Sequence, residues 1–551
     1  MNIKIKQFSS LEKICGTEDM DRREISSAVI MPGEHFSYQA AVQNCTVRSL
    51  LDISVESPLE KYIKIYSVKR IAADYPCDPE ADDDYITKVP KLIPDLLVPL
   101  EKQNLSANYI GEMSVFWIEV CVPRGIAAGR SHITLSFKGT EIDQTANIKK
   151  INYNESVTLN VEILPTCLPK PETIFTQWFH TDCIASVYNT EIYSERHWQL
   201  IDKYMEMASD LGINMILTPV FIPPIDTYPG ECRPNVQLVK IKKKDEKYTF
   251  DFALLRKYIG LAKKNKIKYF EISHLFSQWG CKFAPNIYVS ENGKEKLAFG
   301  WDVSANNSRY AEFLAQFIPK LKEALKEENV LEQCFFHLSD EPAEEHLTQY
   351  EYARNLVKPL LGDCKTIDAL SHLDFYKRGL VEHPICGIDG IEPFIENDVD
   401  KLWAYYCCAQ FKDVSNRFMA MPSYRNRIIG LQLYKYGIKG FLHWGYNFYY
   451  SQYSQYTINP YVTTSTEGIF SSGDAFSVYP GNDGPLPSLR AFVFREALED
   501  IEICKLLERK IGKKAVVKMI EDDAGMEITF KQYPKNSEFI PKIIDKMKRT
   551  L

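Results

Sequence analysis

The chain has 551 residues, 45% of them hydrophobic and 25% charged, which is the composition of a globular protein and the length of two or three domains. Its formal charge of −7 excludes the concentrated basic face that nucleic acid requires. No stretch approaches the roughly 20 apolar residues of a membrane-spanning helix. The N-terminus, Met1-Asn2-Ile3-Lys4-Ile5-Lys6, lacks the apolar centre of a secretory signal, so the expected location is cytoplasmic. The 14 cysteines are scattered, include the neighbours Cys407 and Cys408, and form no Cys-x-x-Cys pair; they read as reduced core residues.

Up to residue 165 the pattern is short strands of period two with no long helical stretch, which predicts an all-β sandwich over 1–165. Examples are His35–Val42, Tyr62–Val68, Ser114–Val120, His132–Phe137 and Ser156–Ile163. The acidic stretch from Asp78 to Asp84 reads as a solvated loop. Pro165, Pro169 and Pro171 then mark a linker. From residue 172 to 511 strands and helices alternate. Strands are predicted near Ile174–Trp178, Met215–Thr218, Tyr269–Ser273, Cys334–Leu338, Thr366–Leu370, Ile385–Ile388, Leu402–Cys407 and Gly440–Trp444. Helical periodicity fills most gaps, at Glu195–Leu211, Phe252–Lys264, Ser308–Glu327, Glu344–Leu361, Tyr424–Tyr436 and Ser488–Lys510. Eight such units favour a (β/α)8 TIM-type barrel over an open sheet, and no Gly-x-Gly-x-x-Gly or Walker loop follows the first strand. Lys242-Lys243-Lys244 reads as a solvated hairpin tip. Residues 512–551 form a C-terminal tail of one or two packed helices.

Barrel enzymes keep their chemistry just past the strand ends. The fourth strand, Cys334-Phe335-Phe336-His337-Leu338, runs into Ser339-Asp340-Glu341-Pro342. Two adjacent carboxyls resist simultaneous ionisation, so one can stay protonated as an acid. A plainer reading is that the pair opens the following helix, where acids suit the dipole. The other strand ends offer Trp178, His274 with Trp279, Tyr405, and Trp444-Gly445-Tyr446-Asn447. Aromatic and polar groups around a carboxylate pair fit a sugar pocket. Ten histidines form no His-x-His or His-Glu-x-x-His, and no Gly-x-Ser-x-Gly elbow exists; no metal, cofactor or serine nucleophile is expected. A retaining glycosidase normally sets acid and nucleophile about 5 Å apart across the scissile bond. Sequence neighbours suit instead a substrate-assisted scheme, in which one carboxyl is acid/base and the other holds the substrate's own 2-acetamido group.

Ser339-Asp340-Glu341-Pro342, followed by Gly440-Phe441-Leu442-His443-Trp444-Gly445-Tyr446-Asn447, resembles glycoside hydrolase family 123, the β-N-acetylgalactosaminidases. Asn416-Arg417-Phe418, Ser472-Gly473-Asp474, Tyr479-Pro480-Gly481, Pro487-Ser488-Leu489-Arg490 and Glu496-Ala497-Leu498-Glu499-Asp500 extend the resemblance across the barrel. It implies retaining release of terminal β-linked N-acetylgalactosamine from a glycan or glycoconjugate through an oxazolinium intermediate. Asp340 would then polarise the acetamido N–H, and Glu341 would protonate the leaving oxygen and later activate water. Trp444 is the candidate platform under the sugar ring, and Asp474, after the flexible Gly473, the candidate acceptor for its 4-hydroxyl. A β-N-acetylglucosaminidase or mixed hexosaminidase would use the same chemistry. A non-catalytic carbohydrate-binding protein is the alternative of a different class.

Overall fold

The computed structural model describes residues 3–44, 49–100, 106–108, 113–142 and 148–551. The N-terminal region is a sandwich of two five-stranded sheets. One sheet orders Ile3–Ser9, Phe36–Asn44, Met113–Val120, Ile63–Ala73 and Lys91–Pro99. The other orders Ser27–Ile30, Ile148–Ile163, Gly129–Ile142, Ser49–Glu56 and Ser106–Asn108. Met113–Val120 shows how this region is used. Phe116, Ile118 and Val120 face the second sheet. Val115 and Trp117 join the larger core that continues into the barrel, where Trp117 packs on Phe492. A strand covered on both faces reads as a nearly continuous hydrophobic run, as this one does.

Eight parallel strands close a barrel: β1 (Ile174–Gln177), β2 (Met215–Thr218), β3 (Tyr269–Ile272), β4 (Cys334–His337), β5 (Lys365–Ala369), β6 (His383–Gly387), β7 (Trp403–Tyr405) and β8 (Gly440–His443). β1 pairs with β8 in register from Ile174–Gly440 to Gln177–His443, which completes the ring. Alternation divides each strand. Met215, Leu217, Phe335, Ile367, Ile385, Trp403 and Leu442 pack inside the barrel. Ile216, Phe336, Ala404 and Phe441 pack outward under the helices. The six predicted helices form, with the fourth starting at Leu347 after a short 3-10 turn and the fifth split into Ser423–Arg427 and Ile429–Tyr436. Lys242–Lys244 lie on the strand Lys240–Lys244, and the turn beyond them is Asp245-Glu246 before Lys247–Asp251. The helices Lys513–Ala524 and Phe539–Thr550 pack against the long helix Leu489–Ile511.

The loop from Asp78 to Asp84 is more than a solvated connection. Asp82 reaches the barrel and pairs with the fully buried Arg425 at 2.8 Å, while the Asp84 carboxylate accepts the Tyr424 hydroxyl. Burying a guanidinium demands a carboxylate partner, and this loop supplies it from a distant part of the chain. No helix among the described residues is long and apolar enough to cross a membrane.

Candidate active site

A cavity of about 190 Å³ opens at the C-terminal end of the barrel strands. Trp178 follows β1, Asp340 and Glu341 follow β4, Tyr405 ends β7 and Trp444 follows β8, and all five line it. Parity explains the selection. Trp178, Tyr405 and Trp444 continue the inward-facing rows of their strands, whereas Tyr406 and His443 point outward.

The carboxyl pair sits on strained backbone. Glu341 has φ +42°, a left-handed conformation unusual for a non-glycine residue and a recurrent feature of functional sites. Its amide donates to Ala369 O at 3.1 Å, and the Tyr405 hydroxyl donates to Glu341 Oε1 at 2.6 Å. Glu341 exposes much of its area, yet that area is the wall of the cavity. Burial by the surrounding protein raises its carboxyl pKa; the Tyr405 hydrogen bond pulls the other way, and nearby Asp389 adds to the rise. Burial and then the Glu341 charge lift Asp340 well above the usual carboxylate range, against the pull of the His337 cation. Among the described residues no side chain hydrogen-bonds the Asp340 carboxyl and no cation pairs with either group.

Beneath the pair lies a buried polar layer. His337 lies between Glu271 Oε1 and Asp368 Oδ1, the latter at 3.1 Å. Burial disfavours its charge, but those hydrogen bonds win and push the imidazolium pKa up to about 10. Asp368 also accepts the backbone amides of Leu338 and Ser339 and the Tyr350 hydroxyl, which fixes the chain just before Asp340. Glu271 accepts the Trp178 indole N–H at 2.7 Å and thereby orients a cavity wall.

Four of the expected binding residues take other places. His274 stands behind the cavity, stacked on His337 at 4.4 Å between ring centroids, and among the described residues neither ring nitrogen has a hydrogen-bond partner. Tyr446 is fully buried, stacked on Phe179, and donates to Tyr204 O. Asn447 clamps the backbone of His180, accepting from its N and donating to its O. Asp474 is fully buried and accepts the Trp444 indole N–H at 2.8 Å. Burial raises its carboxyl to about 7 despite that bond. It holds the platform and does not face the cavity. Trp279 does line the cavity, 38% exposed, and its amide donates to Asp340 O.

Asp226, Gln278, Cys407, Cys408 and Phe470 complete much of the lining without having been singled out as binding residues. Asp226 lies in the long loop after β2, a length that itself marks a functional loop. Burial raises its carboxyl to about 6, opposed by the Tyr453 amide. Cys407 and Cys408 depart from the core role expected of the cysteines, which Cys183, Cys334 and Cys504 do fill. Among the described residues no group of three His, Cys, Asp or Glu is placed to hold a metal.

A closed parallel barrel with an acidic pair and aromatic walls at its mouth defines a glycoside hydrolase type of site. The sequence model of the glycoside hydrolase 123 catalytic domain matches residues 178–507, more than half of the chain. The chain belongs to glycoside hydrolase family 123. A family 123 enzyme from Clostridium perfringens, whose structure is described for glycolipid glycan hydrolysis, overlays 100% of this chain and 98% of its own with TM-score 0.76 at 14% identity. At that identity the overlay shows the shared fold. A Bacteroides ovatus GH5 xyloglucanase covers 90% of this chain and 100% of its own at 9% identity, but its TM-score of 0.30 carries no weight. No curated protein sequence matches the chain.

Proposed function

We propose that the protein is a retaining exo-glycosidase releasing terminal β-linked N-acetylgalactosamine by substrate-assisted catalysis. The observation that carries this reading is the Asp340–Glu341 pair: side by side at one strand end, raised in pKa, unpaired by any described cation. In the first step protonated Glu341 gives its proton to the glycosidic oxygen as the C1–O bond breaks. The two neighbouring carboxyls share one proton, and in this scheme Glu341 carries it while Asp340 is ionised; the acetamido carbonyl oxygen attacks C1 and forms the oxazolinium ion, whose N–H the Asp340 carboxylate accepts. Glu341, now ionised, takes a proton from water as that water attacks C1 and reopens the ring with net retention. The two steps need one group that is alternately acid and base near neutral pH, which a raised carboxyl provides. Trp178 and Trp444 supply apolar faces for the ring's C–H side. Asp226, which lines the cavity, takes the role of hydroxyl acceptor that the buried Asp474 does not fill.

Release of 4-nitrophenol from a panel of aryl glycosides tests this. The β-N-acetylgalactosaminide should turn over, the β-galactoside lacking the acetamido group should not, and a thiazoline mimic of the intermediate should inhibit strongly. A faster β-N-acetylglucosaminide would move the specificity to the gluco series. No turnover of any member would favour a carbohydrate-binding protein. Because Asp226 adds a carboxyl from another loop, ordinary double displacement is the second reading. A covalent sugar trapped on Asp226 would establish it and remove the oxazolinium scheme.

A further inference from the structure

Two neighbouring thiols open onto the cavity, and the proposed chemistry at C1 uses neither. Cys407 and Cys408 both line it, together with Glu341 and Tyr405, and both are partly exposed there. Strand parity accounts for the first. Tyr405 ends β7 facing inward, Tyr406 faces outward, and Cys407 returns to the inward row beside the barrel core. Cys408 begins the turn after the strand, where alternation stops, and its thiol meets that of Cys407.

The peptide that joins them is held from both sides. The Cys407 carbonyl accepts the Gln410 amide at 3.1 Å and the Asn416 side-chain N–H at 2.9 Å, while the Cys408 amide faces the Asp474 carboxylate. The Cys407 amide in turn donates to Gln410 Oε1 at 2.8 Å. A disulfide between chain neighbours closes a small strained ring and twists the peptide inside it, which these contacts oppose. Contact with the Cys408 thiol, then burial and the Glu341 and Asp474 charges, keep Cys407 protonated, its pKa well above the ordinary thiol value. A protonated thiol is a poor nucleophile toward peroxide or an alkylating agent. The pair offers instead two soft donors at a fixed, close spacing, which suits an atom wide enough to bridge them without turning the peptide. The walls around it are apolar, with Trp178, Leu442, Trp444 and Phe470. Cys334 and Cys364 also lie within interaction range of each other, but Cys334 is only 1% exposed.

We propose that Cys407 and Cys408 form a binding site for trivalent arsenicals, aryl ones above all, and that the bound group blocks the cavity. Two S–H bonds and the arsenic–oxygen bond of an arsenoxide break, two As–S bonds form, and the oxygen leaves as water with both thiol protons. Arsenic stays trivalent, so the step needs no oxidant. The aryl ring lies against the Trp444 and Phe470 walls, beside Glu341. The claim of blocked catalysis rests on the proposed reading of the cavity as the active site; the claim of binding does not.

Phenylarsine oxide, added to the whole chain, is the probe. Intact mass should show one phenylarsenic group per chain, kept in excess monothiol and released by dithiothreitol. Digestion of the labelled wild-type protein should place it on the peptide that holds both cysteines, which needs no variant. Apparent affinity should fall about 10²–10⁴-fold in Cys408→Ser, the gain that two linked attachment points give over one, and should be unchanged in Cys334→Ser. Arsenite, which lacks the ring, should bind more weakly. Turnover of the aryl β-N-acetylgalactosaminide should be lost in step with labelling and return with dithiothreitol. A label stripped by monothiol, found on other cysteines, or undiminished in Cys408→Ser would overturn the site. Full turnover by the labelled protein would overturn the blocking. Retained label on a protein that hydrolyses no aryl N-acetylhexosaminide would keep the dithiol site and remove the proposed activity. Hydrolysis without retained label would do the reverse.

Discussion

Buried acids serve two ends in this protein, and the contrast between the Leu489–Ile511 helix and the barrel mouth shows how. On the helix, Arg427 pairs with Asp500 and Glu496 at 2.8 and 2.7 Å, Glu499 accepts from His35, and Arg495 pairs with Glu119 of the sandwich. The neighbouring Arg490 grips Asp95, also from the sandwich, at 2.8 Å. Every one of these acids has a cation. They tie the barrel's last helix to the sandwich and to the barrel wall. At the mouth Asp340 has Glu341 for a neighbour and only a shielded cation, His337, behind it. Given a counter-charge, an acid becomes architecture, even where burial still holds it up, as it holds Glu496 at about 7; two neighbouring acids without one share a proton to spend.

The contrast is sharpest at Glu341. Glu341→Gln should leave folding intact and lower turnover of natural glycosides by more than the roughly 10²–10⁴ of acid catalysis alone, since one residue serves both steps. Substrates with good leaving groups should lose less in the first step; equal loss across leaving-group pKa values would remove Glu341 from the role. The paired set should respond in the opposite way. Arg427→Ala strands two buried carboxylates and should cost about 3–5 kcal/mol of stability by denaturant titration, with the folded fraction retaining its kcat. A stable Arg427→Ala protein would show that the helix acids are neutral and the pairing ornamental.

Asp340→Asn should cost about 10²–10³ in kcat, the size of losing one group aimed at developing charge. It should also weaken thiazoline inhibition, while circular dichroism stays unchanged. Tyr405→Phe is a finer probe. The Tyr405 hydroxyl stabilises ionised Glu341, so its removal raises the Glu341 pKa further. Activity that needs protonated Glu341 is lost as pH rises through that pKa. The alkaline limb of kcat/KM should therefore move up by about 1 pH unit; a downward move would reverse the assignment of acid and base. The smallest effects belong to the Asp78–Asp84 loop, where the comparison can be run between neighbours. Asp82→Asn should lower the melting temperature measurably because it leaves buried Arg425 with only the Asp84 carboxylate, 3.9 Å away, whereas exposed Asp83 with its Lys88 partner should be silent on substitution.

Much of this was legible along the chain. Period-two segments, the proline linker and eight alternating units identified a sandwich followed by a barrel, because strand and helix periodicities are local properties. The Asp340–Glu341 pair was legible because it ends a hydrophobic run, and Trp178, Tyr405 and Trp444 because they end theirs on the inward parity. Tyr446 and Asn447 follow the same strand as Trp444 but lie past its last paired residue, where alternation no longer governs direction. They turn into the packing around Phe179 and His180. Asp474 is expected from sequence to accept a sugar hydroxyl; the structure buries it against the Trp444 indole. The family-like motifs at Arg417, Arg490 and Glu496–Asp500 turn out to be mostly fastenings. Arg417 bonds Gln177 and His443, and Arg490 bonds Asp95 and Gly473.

What the sequence determined by itself is the order of elements, the barrel and the acid pair at its mouth, since each is written in spacing and in the side chains at strand ends. What only the tertiary structure decided is which charges meet. Asp82 with Arg425, Asp95 with Arg490 and His337 between Glu271 and Asp368 join residues tens to hundreds of positions apart. Asp226 enters the cavity from a loop whose sequence gives no direction. Electrostatic character depends on distance and burial, and neither is a property of the chain until it has closed on itself.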